Sequence, residues 1–117
     1  MQFCSEVYQV DLNLKIVTLD LKDFTTKKWS TLLIGLIHEC GHILAWSENP
    51  KGLLERSGYG TNGRSRAYRF SILYEEMRAW NLAEKTLWPA LFPGKQPTKA
   101  FLKDVVDSLE TYAQEYF

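Results

Sequence analysis

The chain has 117 residues, a length typical of one domain, and 45% of them are hydrophobic, which is enough to build a core. Its 14 basic residues balance 14 acidic ones, which argues against nucleic acid or an anionic membrane as the partner. The two cysteines make no disulfide framework, and the first residues do not resemble a secretion signal. No apolar run reaches the ~20 residues that span a bilayer. We therefore expect a single cytoplasmic domain, residues 1–117.

Alternating apolar and polar residues predict strand structure from Val7 to Leu21. The alternation changes phase near Lys15 and Ile16, which indicates a tight hairpin or a bulge at that point. Two short antiparallel strands fit this pattern, as does one long bent strand, and we favour the pair. The polar segment Asp23–Lys28 is predicted to be a turn, in which Thr25 or Thr26 is the candidate cap of the next helix.

Three helices are predicted after these strands. The segment Lys28–Trp46 is apolar on all sides, which predicts a buried central helix. A long loop, Ser47–Arg66, separates it from a second helix, Ser65–Leu87, which the following Trp-Pro pair should end. A third helix with one apolar stripe opens at Thr98 and runs to the end of the chain. This order predicts an α+β fold, in which a small antiparallel sheet packs on the central helix beside two further helices.

The most informative motif is the run His38-Glu39-Cys40-Gly41-His42 within the central helix. Residues four apart share one face of a helix, so both imidazoles can bind one metal ion, and Glu39 can reach a water on that ion. The chain has two histidines, and both lie in this motif. A metal-free buried helix would instead have to supply hydrogen-bond partners to two imidazoles and a carboxylate.

A catalytic zinc ion needs three protein ligands and an open position for water, so a carboxylate or a cysteine must complete the set. Cys40 projects to the far side of the helix from His38. Glu76 lies in the middle of an apolar stripe on the second helix, where an unpaired carboxylate would be costly. Arg69, two turns earlier, offers Glu76 an ion pair instead. Glu75, at the edge of the stripe where it can reach solvent, is the alternative ligand, and Arg78, almost opposite Glu76, is expected to be solvated. We predict one zinc ion per chain, held by His38, His42 and Glu76.

Two segments, Leu36–His42 and Glu76–Ala83, resemble the small zincins of the ImmA/IrrE type, which read H-E-L-G-H and later E-x-x-A-N-x-F-A. Trp80 and Leu82 replace the asparagine and phenylalanine of the second motif, and Glu76 stands at the position of the third ligand. The resemblance implies a minimal zincin-like metallopeptidase. It also implies an origin in a phage or mobile element and a narrow intracellular protein substrate, such as a repressor or regulatory protein.

The predicted function is therefore a zinc peptidase in which metal-activated water attacks the peptide bond and Glu39 is the general base. Candidate donors to the oxyanion are Tyr59, Tyr68 and Arg69, and the sequence does not choose among them. The alternative is a zinc-binding interaction or regulatory protein that does not cleave, because a short chain supplies few walls for a groove. The retained Glu39 favours the peptidase, since a structural zinc ion needs no general base. A metal-free helical adaptor is the third possibility.

Overall fold

A computed structural model of the chain describes residues 2–4, 8–19, 21–48 and 66–116. Three short strands open it: β1 (Gln2–Cys4), β2 (Tyr8–Asp11) and β3 (Ile16–Leu19). They pair antiparallel in the order β1-β2-β3, with Val10 opposite Phe3 on one side and opposite Val17 on the other.

The turn between β2 and β3 is held by a side chain. The Asp11 carboxylate accepts the backbone N–H groups of Asn13 at 3.1 Å and Leu14 at 3.0 Å. Lys15 then takes a left-handed backbone conformation, with φ of 56°, which a short polar turn requires here. This reversal falls where the alternation of the sequence changes phase.

Helices make up most of the rest of the described chain, and two of the longest carry the site. They are α1 (Leu21–Thr26), α2 (Trp29–Glu48), α3 (Arg66–Leu82), a π-helical turn (Ala83–Leu87), α4 (Trp88–Leu91) and α5 (Lys99–Tyr116). Within the described residues, no helix has the length and apolar character needed to cross a membrane.

The predicted α+β class is wrong, because the described part of the chain is predominantly helical. Helices α2, α3 and α5 have 20, 17 and 18 residues, whereas the strands have 3, 4 and 4. The residues of β3 alternate between exposed and half-buried, and Ile16 is 51% exposed. The buried residues of the main hydrophobic cluster all come from helical segments: Ile34, Ile37, Trp80, Ala83, Trp88 and Phe101.

Two further local predictions need correction. The predicted turn after β3 is largely helix α1, in which the Thr25 and Thr26 hydroxyls donate to the Lys22 carbonyl at 2.9 and 2.8 Å rather than capping the next helix. The central helix is not buried on all sides, since Trp29 is 70% and Leu36 40% exposed. The apolar sequence of α2 therefore predicted more burial than the neighbouring elements provide.

The second long helix does not end before the Trp88-Pro89 pair. The Trp88 N–H donates to the Ala83 carbonyl, five residues back, and this wider turn leads directly into α4. Pro89 lies in the first turn of α4, directly after this wider turn. The continuation brings Trp88 into the core, where it is 5% exposed.

Helix α5 is fixed at its start and by one aromatic side chain. The Phe101 N–H donates to the Thr98 hydroxyl at 3.1 Å, so Thr98 is the N-cap and the helix begins one residue later than predicted. The Phe101 side chain is fully buried against Trp80 and Trp88. This contact joins α5 to the part of α3 that carries the candidate site.

Candidate metal centre

Two helices bring three predicted ligands together. His38 and His42 lie one turn apart on α2, and their ring centroids are 4.8 Å apart. Glu76 reaches them from α3 and lies between them. Its Oε1 is 2.7 Å from Nε2 of His38, and its Oε2 is 2.9 Å from Nε2 of His42. The carboxylate thus contacts the same ring nitrogen of both imidazoles.

A glycine permits this approach of the two helices. A Cβ atom built on Gly41 would overlap the carbonyl oxygen of Ala79 and lie 3.0 Å from its carbonyl carbon. Gly41 is one residue before His42, and Ala79 is three residues after Glu76, so the contact lies beside the cluster. The absence of a side chain at Gly41 therefore sets the distance between the ligands of α2 and α3.

Burial and charge together determine how the cluster ionises. Burial disfavours the charged form of Glu76, but its short contacts with His38 and His42 overcome this effect and lower its pKa to about 2. Burial likewise opposes protonation of His42, yet the neighbouring carboxylates raise its pKa. At His38 burial dominates and lowers the pKa. In the metal-free site Glu76 is therefore ionised at neutral pH, and its charge favours the protonated form of His42.

The metal-free protein is expected to lose stability as the pH falls from about 4.5 towards about 2. The pKa of Glu76 is lowered in the folded protein, so in this interval the unfolded chain binds the proton first and acid favours unfolding. Urea unfolding at several pH values measures this loss. The variant Glu76→Gln should lack that part of the pH dependence, and equal acid slopes in the two proteins would contradict the assignment.

The atoms at the centre of the cluster fit a metal ion. Nε2 of His38 and both oxygens of Glu76 are buried and form no well-aligned hydrogen bond, although Glu76 lies 2.7 and 2.9 Å from the two Nε2 atoms. Buried polar atoms in that condition are costly. Two imidazole nitrogens and one carboxylate are a donor set that zinc accepts in catalytic sites. His38, His42 and Glu76 are thus suited to hold zinc.

Glu39 lies within the same cluster and is 2% exposed. One ligand atom each of His38, Glu39 and His42 lies within 4.8 Å of the others, and Oε1 of Glu39 is 3.6 Å from Nδ1 of His38. A carboxylate in this position can accept a proton beside the metal or bind the metal itself. Cys40 is half-buried, and burial together with the charge of Glu39 raises the pKa of its thiol, which disfavours a thiolate ligand.

The remaining predicted site residues are Glu75, Tyr68, Arg69 and Tyr59. Glu75 is 6% exposed rather than solvated, and its carboxylate contacts Arg78 at 3.2 Å, so Glu76 and not Glu75 lies against the imidazoles. Tyr68 and Arg69 are in the first turn of α3, and the ion pairs of Glu76 are with the histidines rather than with Arg69. Tyr59 lies outside the described residues.

The sequence did not identify Arg78 as a contact between the two helices. Its guanidinium donates to the Ala45 carbonyl of α2 at 3.3 Å and to Glu75 at 3.2 Å, and it lies 3.7 Å from Glu48. The helical pattern placed Arg78 opposite Glu76, towards solvent, but the end of α2 passes along that side. Arg78 therefore ties the last turns of α2 to α3.

Arg78→Met is expected to destabilise the metal-free protein by about 1–3 kcal/mol, because it leaves the buried Glu75 carboxylate without its arginine. Urea unfolding measures the change. The control is Lys103→Met, which breaks the exposed pair between Lys103 and Asp107 and should leave the unfolding midpoint unchanged. Equal midpoints for the wild type and Arg78→Met would show that the contact contributes nothing.

Comparison with known proteins adds no assignment. No protein family, curated protein or solved structure matches this chain. The resemblance to ImmA/IrrE zincins consequently rests on two short motifs. Function has to be argued from the arrangement of the site itself.

Proposed function

We propose that this protein is a zinc-dependent peptidase of the zincin type. The observation that carries the proposal is the position of Glu76, whose two oxygens lie 2.7 and 2.9 Å from the Nε2 atoms of His38 and His42. These residues come from two helices, and each was selected from the sequence for the chemistry of a zinc ligand. Two imidazole nitrogens and one carboxylate at one point are a donor set that zinc accepts in catalytic sites.

Each residue of the cluster has a chemical task in this proposal. His38, His42 and Glu76 hold zinc, which when bound supplies Lewis acidity towards water and the peptide carbonyl. Glu39 accepts the proton of the attacking water and passes it to the leaving amine. Because Glu39 is buried beside both histidines, its proton transfer takes place away from bulk solvent.

The proposed substrate is a specific intracellular protein, such as a repressor or another regulator, cleaved in the cytoplasm. This part of the proposal derives from the resemblance to ImmA/IrrE zincins. The depth of the site is consistent with a narrow substrate range, since His38 is 8% and Glu39 2% exposed. A peptide carbonyl can reach Glu39 only if the site opens, and a particular partner can favour the open form through its own binding energy.

The same depth also favours a second candidate function. A zinc protein that binds a partner without cleaving it has no need of an accessible metal. Glu39 then serves as a ligand or a buried hydrogen-bond partner, a role that its distance from the two histidines permits. In this case zinc joins α2 to α3 and stabilises the fold.

Zinc content and proteolysis distinguish these possibilities. Protein purified with added zinc should contain about one zinc ion per chain. Incubated with a proteome-derived peptide library, the wild type should generate new termini that mass spectrometry detects. Glu39→Gln should retain zinc and generate none, whereas Glu48→Gln, at a carboxylate 53% exposed, should behave as the wild type. Zinc without cleavage would favour the second candidate, and absence of zinc would exclude both.

A further inference from the structure

His38 is stacked on a tryptophan. The rings of His38 and Trp80 are nearly parallel, with centroids 4.0 Å apart and planes inclined by 6°. Both side chains are buried, at 8% and 4% exposure. Trp80 is four residues after Glu76 on α3, so one face of that helix supplies both the carboxylate at Nε2 and the aromatic surface beneath the ring.

The second ring nitrogen of His38 faces Glu39. A metal-binding histidine normally donates its second ring N–H to a carboxylate, a carbonyl or water, which fixes the ring. In the described part of the chain, the contact at Nδ1 of His38 is Oε1 of Glu39 at 3.6 Å, which is too long for a hydrogen bond. The Trp80 indole, by contrast, lies flat against the His38 ring and resists rotation of that ring out of its plane.

Trp80 is itself held by the last helix. Its indole meets Phe101 of α5 edge to face, with centroids 5.6 Å apart and an angle of 79°. Phe101 is fully buried and also packs on Trp88. A continuous aromatic contact thus runs from α5 through Phe101 and Trp80 to the ring of His38.

We infer that Trp80 is a positioning residue of the metal site, whose stacked indole fixes the plane of the His38 imidazole. The inference rests on the proposed zinc site for its functional meaning. The stack itself is a property of the metal-free protein and can be measured there. Trp80 touches a ligand rather than the metal, so its replacement should weaken zinc binding without removing a donor.

The first readout is the NMR spectrum of the two histidine rings in the metal-free protein. The stacked indole should shift the ring protons of His38 upfield through its ring current. Trp80→Leu should abolish that shift. Trp88→Leu is the matched control, because Trp88 is as buried and packs on the same Phe101 but is not the residue stacked on His38. An unchanged His38 spectrum in Trp80→Leu would overturn the inference.

The second readout is zinc affinity by competition with a chelator. Trp80→Leu should bind zinc at least about tenfold more weakly than the wild type, as expected when the group that orients a ligand is lost. Trp80→Phe keeps an aromatic face and should lose less, and Trp88→Leu should bind as the wild type. Equal losses in Trp80→Leu and Trp88→Leu would reduce Trp80 to a packing residue. A wild type that binds no zinc would instead overturn the proposed function.

Discussion

Replacing Glu76 by glutamine is expected to lower zinc affinity more than about 100-fold, since loss of a group that merely orients a ligand already costs 10–100-fold. Glutamine preserves the shape of the side chain, so the fold should persist while the negative charge between His38 and His42 disappears. Zinc affinity by competition with a chelator measures the effect, and circular dichroism verifies that the variant is folded. Wild-type affinity in Glu76→Gln would exclude Glu76 as a ligand.

Glu75→Gln is the matched control for this experiment. Glu75 is the adjacent residue and is similarly buried, but its carboxylate contacts Arg78. Its replacement should alter stability while leaving zinc affinity unchanged. A reversed outcome, in which Glu75→Gln loses zinc and Glu76→Gln retains it, would show that α3 presents a different face to α2.

Gly41→Ala is expected to destabilise the metal-free protein by about 2–4 kcal/mol, because the new methyl group would overlap the Ala79 carbonyl oxygen. The sign of the change is diagnostic. In a helix without a close neighbour, glycine to alanine stabilises by about 1 kcal/mol. Urea unfolding distinguishes the two outcomes, and stabilisation of the variant would show that α2 and α3 are not in contact at Gly41.

A second substitution tests whether the new methyl group overlaps the backbone or the side chain of Ala79. The overlap is with the backbone of Ala79, so adding Ala79→Gly to Gly41→Ala should not restore stability. Rescue by the double variant would place the clash at the Ala79 side chain instead. Zinc affinity of Gly41→Ala should also fall, since Glu76 and His42 lie within three residues of the contact and separate when the helices move apart.

The identity of the cluster could be predicted from the sequence because its chemistry is local to each helix. The spacing of His38 and His42 places them on one face, and the position of Glu76 within an apolar stripe points its charge inward. The structure brings these three side chains together. The choice between Glu75 and Glu76 depends only on which face of α3 is apolar, and the sequence of that helix is enough to identify this face.

What the sequence could not give depends on how the helices face each other. Arg78 looked solvated because helical periodicity says nothing of the neighbour that runs past its outer side, here the carbonyl of Ala45. The stack of Trp80 on His38 likewise requires the separation and crossing of α2 and α3. These quantities arise from packing, of which the Gly41 contact is one determinant.

The predicted fold class was wrong for a related reason. Alternation around Val10 and Val17 indicates extended backbone, and those residues are in strands. It carries no information on how much of the core the strands supply. The core is formed by residues such as Ile37 and Phe101, which belong to helices far apart in sequence. The predominantly helical architecture follows from the packing of these helices, which the number of predicted strands and helices does not reveal.

The central claim is that both imidazoles of the chain and one carboxylate bind a single zinc ion. Zinc-edge X-ray absorption of the loaded wild-type protein measures the number and the distance of the imidazole ligands. The expected spectrum contains two imidazole nitrogens at about 2.0–2.1 Å, with oxygen completing the shell. Since the chain has two histidines, that result can only mean His38 and His42 in a monomer. A sulfur ligand at about 2.3 Å, or fewer than two imidazoles, would contradict the account.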